Sequence, residues 1–286
     1  MRPTDLVDGT AGHGRPARGS GSVMRRRWHE RWSATTSRLH AALEGPLELL
    51  FPPVCAFCGA WLGDRLDPIA LCDACREAFR PFVEPTCRRC ASPVPADWMA
   101  GSECAACRGR RYAFESAVAF GSYRGALREA VLRAKRPAHE ALASALGAML
   151  GSACRNRWPT DWRPIVVPLP MHWRRRFTRG ANGVERLAES LARALRCPCS
   201  MNLLAYARAT SKQGLLTPVE RFANVRGAMR PVRRWWSDDP LRGTSVLLVD
   251  DVMTTGATAS EAARVLRRAG AAQVRVAVVA RGTGST

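Results

Sequence analysis

Lysine is almost missing from this chain: Lys135 and Lys212 are two of its 44 basic residues, and the rest are arginine. Acids are scarce too, 24 against those 44, which leaves a net charge of +20 over 286 residues. A GC-rich coding bias accounts for Arg in place of Lys but not for the shortage of acids. Such a balance favours polyanions: nucleic acid, phosphorylated ligands or an anionic membrane surface. Where Arg is used so freely, each Lys is a candidate position for a compact ammonium. Long apolar runs are also absent. The longest apolar stretch, Leu49 to Leu62, holds two prolines and two cysteines, and falls short of the roughly 20 uninterrupted apolar residues of a spanning helix. No apolar signal-peptide core opens the sequence, so the expectation is a soluble, cytoplasmic protein. In that reducing compartment its 11 cysteines point to metal binding rather than to a disulfide framework.

What is present divides the chain. Residues 1–23 are Gly, Pro, Ser, Thr and charge without periodicity and read as disordered, with Met24 an alternative start. Residues 24–50 space Trp28, Trp32, Leu39, Leu43 and Leu47 as in a basic amphipathic helix. Residues 51–110 are dominated by cysteine pairs, and 111–286 alternate strand and helix signals. Strands are expected at Ala117–Tyr123, Ile165–Pro168, Leu203–Tyr206, Val246–Val249 and Val274–Ala280. Helices are expected at Arg124–Ala134, Ala138–Cys154, Asn182–Leu195 and Ala259–Ala269. That order predicts an α/β fold, a parallel sheet flanked by helices, preceded by a small cysteine-rich module. Segment 208–243 lacks a clean period and reads as a long functional or mobile loop.

The cysteines repeat one module twice. Cys55-x-x-Cys58 and Cys72-x-x-Cys75 are separated by 13 residues, as are Cys87-x-x-Cys90 and Cys104-x-x-Cys107. Two CxxC turns converging on one tetrahedral ion make a closed four-thiolate zinc site, structural because no position stays open for substrate. Each 13-residue arm suits one ribbon hairpin, which favours two zinc ions and sequential pairing over an interleaved cross-brace. Cys154, Cys197 and Cys199 lie outside the pattern. A segment of this size has little core, so metal is its expected staple.

The run Val246-Leu247-Leu248-Val249-Asp250-Asp251-Val252-Met253-Thr254-Thr255-Gly256-Ala257-Thr258 is the most informative. A buried strand ends in two adjacent carboxylates, where α/β folds place ligands. Carboxylates accept hydrogen bonds from vicinal hydroxyls such as those of a ribose. Gly256 admits close backbone approach, Thr254, Thr255 and Thr258 offer hydroxyls, and a helix N-terminus holds phosphate. Thr258-x-x-Glu261 also reads as a capping box, with Gly270 ending the helix.

This run resembles the phosphoribosyl pyrophosphate (PRPP) signature of type I phosphoribosyltransferases. The rest of the chain narrows the resemblance. A cysteine-pair module is followed by Tyr123-Arg124 with Lys135, Val167-Pro168-Leu169-Pro170, Arg179-Gly180-x-Asn182, Gln213-x-Leu215 with Arg221 and Asn224, and then the signature. From about residue 50 to 281 it resembles the ComF family of competence-type proteins associated with DNA uptake. One departure is Ala181-Asn182-Gly183, where the family usually has Phe-Asn-Gln.

The resemblance implies a type I phosphoribosyltransferase-like domain behind a double zinc ribbon. It further implies PRPP and Mg2+ at Asp250, Asp251, Thr254, Thr255, Gly256 and Thr258, with Asn182 and Lys135 as further contacts. Substitution at the anomeric carbon would pass through an oxocarbenium-like state. Lys212, Arg221 and Arg208 are candidates to close over the pyrophosphate, and the turn with His172 and Arg174–Arg176 is a candidate for its far side. No run identifies an acceptor. Two classes therefore stand: a phosphoribosyltransferase, or a PRPP-sensing protein without turnover that handles single-stranded DNA. DNA-uptake machinery proteins are implied partners of either.

Overall fold

Four consecutive apolar residues without polar alternation, Val246–Val249, predict a strand covered on both faces. They form the first half of β5 (Ser245–Met253), an inner strand of a four-stranded sheet. Its companions are β1 (Ser116–Ser122), β2 (Ile165–Pro168) and β6 (Gln273–Arg281), in the order β1-β6-β5-β2 with every pairing parallel. The structure is a computed structural model and describes residues 52–63, 69–98, 104–170, 183–211, 216–232 and 241–282. The expected segments 1–23 and 24–50, and with them His172, Arg174–Arg176, Asn182 and Lys212, lie outside the described residues.

Each inner strand feeds two cores. Leu247, Val249, Ala277 and Val279 pack on one face against α2 (Gly125–Ala134), α3 (Glu140–Arg157) and α4 (Gly183–Leu195). Val246, Leu248, Val274, Val276 and Val278 pack on the other against α6 (Ala257–Arg268) and a two-stranded antiparallel sheet. That small sheet pairs β3 (Leu204–Tyr206) with β4 (Met229–Pro231). The result is a three-layer α/β arrangement, as the alternation of elements predicts.

Segment 208–243 departs from its expected loop character. Within it Pro218–Val225 forms helix α5, started by a reciprocal capping box between Thr217 and Glu220 with Pro at the first helical turn. Arg208 donates to the carbonyls of Asn224 and Arg226 and so ties the start of this segment to the end of α5. The capping box expected at Thr258 does not form. Gly256 is the N-cap of α6, with φ +77° and no side-chain cap, and Glu261 instead accepts from the Gly227 N–H and pairs with Arg264.

The cysteine-rich segment repeats one local geometry. Bridges Val54 to Trp61 and Thr86 to Pro93 each close a knuckle around a CxxC turn. Gly59 in the first and Ala91 in the second both have positive φ, at the same place relative to the cysteines. Beyond the first knuckle, α1 (Asp73–Ala78) carries Cys75, with Cys72 as its N-cap. Both knuckles are continuous with the sheet's packing. Phe79 is 1% exposed and belongs to the same core as Leu127, Val131 and Val249. Arg133 donates to the Phe57 carbonyl and lies over its ring, 4.8 Å from the centroid.

Candidate functional site

The paired carboxylates stand within β5 rather than after it. The strand pairing continues through Asp250, opposite Val278, to Met253, opposite Arg281, so both acids are fixed by the ladder at the C-terminal ends of the parallel strands. Asp250 Oδ1 accepts from the Asp251 N–H at 2.9 Å. Lys135, the C-cap of α2, places Nζ 2.9 Å from Asp251 Oδ2. Burial pulls the Lys135 pKa down, but the Asp251 carboxylate outweighs it and the net direction is up. Asp250 is pushed from 3.8 to about 8, by burial first and the Asp251 charge second, against the Asp251 N–H and Lys135. One acid of the pair thus faces a lysine, and the other favours its proton near neutrality.

Arg221 reaches the site from α5, with Nη1 3.0 Å from Thr254 Oγ1 and Nε on the Leu216 carbonyl. The three threonines have different surroundings. Thr254 is exposed and Thr258 half-buried, whereas Thr255 is buried and its Oγ1 faces the Ala257 N–H at 3.4 Å, inside the turn. Thr255 can therefore meet a ligand through its main chain rather than its hydroxyl. Gly256 leaves little room for a side chain: at φ +77° a Cβ would lie 3.0 Å from the Tyr112 ring.

Two residues that sequence reasoning did not single out shape this loop. Tyr112 donates its hydroxyl to the Thr255 carbonyl at 3.1 Å and stacks on Phe114 at 4.7 Å. Arg281, 3% exposed, donates to the carbonyls of Met253 and Gly282 at 2.9 and 2.6 Å, to that of Thr254, and to that of Cys90 at 2.9 Å. Their position at the end of the last strand and just past the last cysteine pair was legible. Their partners, remote in sequence, were not.

The eight paired cysteines gather into two groups, Cys55, Cys58, Cys72, Cys75 and Cys87, Cys90, Cys104, Cys107, with the four sulfurs of each within 4.8 Å of one another. This is the sequential grouping and not the interleaved one. Cys58 to Cys72 is 3.7 Å, Cys87 to Cys107 3.9 Å and Cys90 to Cys104 3.4 Å. A tetrahedral ion with Zn–S bonds of about 2.3 Å separates sulfurs by roughly 3.8 Å, so both groups fit zinc. In the second group a hydrogen bond from Cys87 helps bring Cys90 to about 4, while burial and its neighbours raise Cys107 to about 11 and Cys87 is raised as well. In the first, main-chain N–H groups hold Cys55 at about 6 against its burial, and burial raises Cys75. Cys154, Cys197 and Cys199 stand outside both groups.

A parallel sheet ending in a carboxylate pair, behind two four-cysteine knuckles, defines a phosphoribosyltransferase-like protein with a double zinc ribbon. Comparison with known proteins agrees. The family model for the double zinc ribbon domain matches residues 46–108, and that for the phosphoribosyl transferase domain matches 181–286. Ribbon and phosphoribosyltransferase parts thus match in the order expected from the resemblance to ComF-type proteins. It is similar to DNA utilization protein YhgH of Escherichia coli K12, 28% identical over 231 residues that span 80% of this chain and 96% of the relative. Competence protein F of Haemophilus influenzae is 27% identical over 215 residues, 74% of this chain and 90% of the relative. Among solved structures, the glutamine PRPP amidotransferase of B. subtilis aligns with 23% identity and a TM-score of 0.31, over 47% of this chain and 25% of that one. Among the described residues no helix is long and apolar enough to cross a membrane.

Proposed function

We propose that this chain binds PRPP with Mg2+ at the C-terminal end of β5 and transfers its phosphoribosyl group to a nucleophilic acceptor. The observation that carries the reading is the arrangement of Asp250 and Asp251 on a fixed strand end, with Lys135 2.9 Å from Asp251. The two carboxyl groups accept from the vicinal ribose hydroxyls. The main chain of residues 254–258 at the start of α6 receives the 5′-phosphate. Arg221, beside Thr254, and Lys135 supply positive charge where the pyrophosphate lies; Asn182 is assigned to the same site through the family pattern, and Lys212 as a basic residue of segment 208–243 that can close over the pyrophosphate. Mg2+ when bound supplies neutralisation of the pyrophosphate oxygens. In the reaction the anomeric C–O bond to pyrophosphate breaks with its electron pair on pyrophosphate. A bond from the acceptor's lone pair then replaces it, and the acceptor's proton passes to solvent. The chain's part is positioning and charge stabilisation. Each four-cysteine group is proposed to hold one zinc ion as structural metal, two per chain.

The test is a thermal shift. PRPP with Mg2+ raises the melting temperature of the native protein, and Asp251→Asn loses most of that rise; an equal rise in both places the ligand elsewhere. Pyrophosphate release against a panel of nucleobases and amines then identifies the acceptor. A second reading, PRPP sensing without turnover coupled to single-stranded DNA, draws on the exposed Arg88, Arg108 and Arg111 beside the second knuckle. The names of the relatives, which concern DNA utilization and competence, point the same way. It predicts binding of PRPP with no pyrophosphate release from any acceptor.

A further inference from the structure

Three consecutive carbonyls of the signature loop are held from the protein side. Those of Met253 and Thr254 accept from Arg281, and that of Thr255 accepts from the Tyr112 hydroxyl. A trans peptide plane sets its C=O and the following N–H in opposite directions. Fixing these carbonyls therefore aims the N–H groups of Thr254, Thr255 and Gly256 the other way, as a row of donors suited to an anion. Gly256, at φ +77°, continues that row into the first turn of α6.

Both anchors run back to the second cysteine knuckle. Arg281 Nε donates to the Cys90 carbonyl at 2.9 Å. Arg89, one residue earlier, lies over the Tyr112 ring at 5.6 Å. The same four-residue turn, Cys87 to Cys90, thus holds both through its last two residues, Arg281 at Cys90 and Tyr112 at Arg89. Among the described residues the partners of the Arg281 guanidinium are four main-chain carbonyls and no carboxylate. A buried cation satisfied only by carbonyl dipoles keeps its position only while those carbonyls keep theirs. Among the described residues the first knuckle shows no such link, and it packs through Phe57 and Phe79 on α2 and the opposite core.

We propose that Arg281 and Tyr112 are positioning residues for the phosphate loop, and that through them metal binding at Cys87, Cys90, Cys104 and Cys107 is coupled to PRPP binding. Metal at the first group is not coupled. The inference rests on the proposed PRPP site and adds its control: closure of the second ribbon sets the loop, and a ligand in the loop tightens the ribbon. Linkage makes the effect reciprocal, so it is read most directly from the metal side.

The experiment uses the full chain with both sites loaded. Zinc affinity is measured by equilibrium competition with a colorimetric chelator, with and without saturating PRPP and Mg2+, and a thermal shift is recorded on the same samples. One of the two zinc equivalents is expected to bind between about 5- and 150-fold more tightly with ligand, the usual range of such coupling, and the other is unchanged. Arg281→Lys retains the charge, but one ammonium cannot span four carbonyls, and the coupling should vanish. Tyr112→Phe removes a single hydrogen bond at little risk to folding and should reduce the coupling. A purely structural role for either side chain would lower stability without altering the dependence of zinc affinity on PRPP. A thermal shift without any change in zinc affinity overturns the coupling and leaves the ligand site standing. A coupling that is equal in wild type and both variants overturns the route through these residues. The absence of any thermal shift removes the PRPP site itself and the inference with it.

Discussion

Lys135 Nζ lies 2.9 Å from Asp251 Oδ2, so one of the chain's two lysines faces one of its two signature acids. Asp250, beside it on the strand, carries the burden of burial first and of the neighbouring Asp251 charge second.

The pH dependence of the free protein follows from that burden. Asp250 titrates at about 8 in the fold against an ordinary 3.8, so the native state binds the extra proton between these values. Stability from this group is greatest below the ordinary value, falls as pH rises from about 4 to about 8, and levels off above. Asp250→Asn removes the dependence. Its melting temperature should therefore gain on wild type across that window by several degrees, on the order of 5 °C, and stay ahead by a constant margin beyond it. Scanning fluorimetry without ligand at a series of pH values checks this; a difference independent of pH contradicts the assignment.

Gly183 is one of the two departures, with Ala181, from the family's usual Phe-Asn-Gln. A Cβ there would lie 2.1 Å from the Ala134 carbonyl oxygen and 3.6 Å from Lys135 Cα. The start of α4 thus meets the end of α2 backbone to backbone, next to the lysine of the site. Gly183→Gln, which restores the family residue, should therefore weaken the PRPP thermal shift at least 2-fold, because displacement of Ala134 and Lys135 would relieve the clash. Retention of the full shift would mean that α4 yields instead.

Phe79 tests whether the first ribbon is separable. It is 1% exposed, packs edge-on to Phe57 at 5.1 Å and shares a core with the sheet helices. Phe79→Ala should cost about 3–5 kcal/mol, and the loss should appear in a single unfolding transition followed by far-UV circular dichroism. Two resolved transitions, with the sheet melting at its original temperature, would make the ribbon an independent unit.

Arginine exposure selects the residues for a DNA test. Arg88, Arg108 and Arg111 are exposed, whereas Arg89 lies over Tyr112 and belongs to the loop's support. Replacing the three exposed residues by Ala should weaken single-stranded DNA binding at low salt. It should also lower the slope of log affinity against log salt by up to about 2, near 0.7 for each phosphate that is no longer neutralised. The PRPP thermal shift should stay unchanged. A fluorescence titration at several salt concentrations reads this, and binding untouched by the triple change takes the DNA from this face.

Much of the molecule was written locally. Val246–Val249 announced a doubly covered strand, and Asp250-Asp251 with the Thr-Gly run announced a phosphate and ribose site. The cysteine spacing announced two four-sulfur groups. Helix α5 was also legible, in Thr217-Pro218-x-Glu220, but the Arg- and Pro-rich surroundings masked it. Thr258-x-x-Glu261 matched a capping box that the structure does not use, because Gly256 starts the helix earlier and Glu261 is drawn to Gly227 and Arg264.

Sequence alone determined whatever depends on near neighbours: strand and helix periods, knuckle turns, and the chemical type of each site. Tertiary structure decided what depends on residues far apart in the chain. It set Lys135 against Asp251, Tyr112 under Thr255, and Arg281 between Cys90 and Met253. The physical reason is that main-chain carbonyls carry no sequence signature. A buried arginine near the end of β6 reads as an ordinary strand residue until the parallel sheet brings the loop and the second knuckle to either side of it.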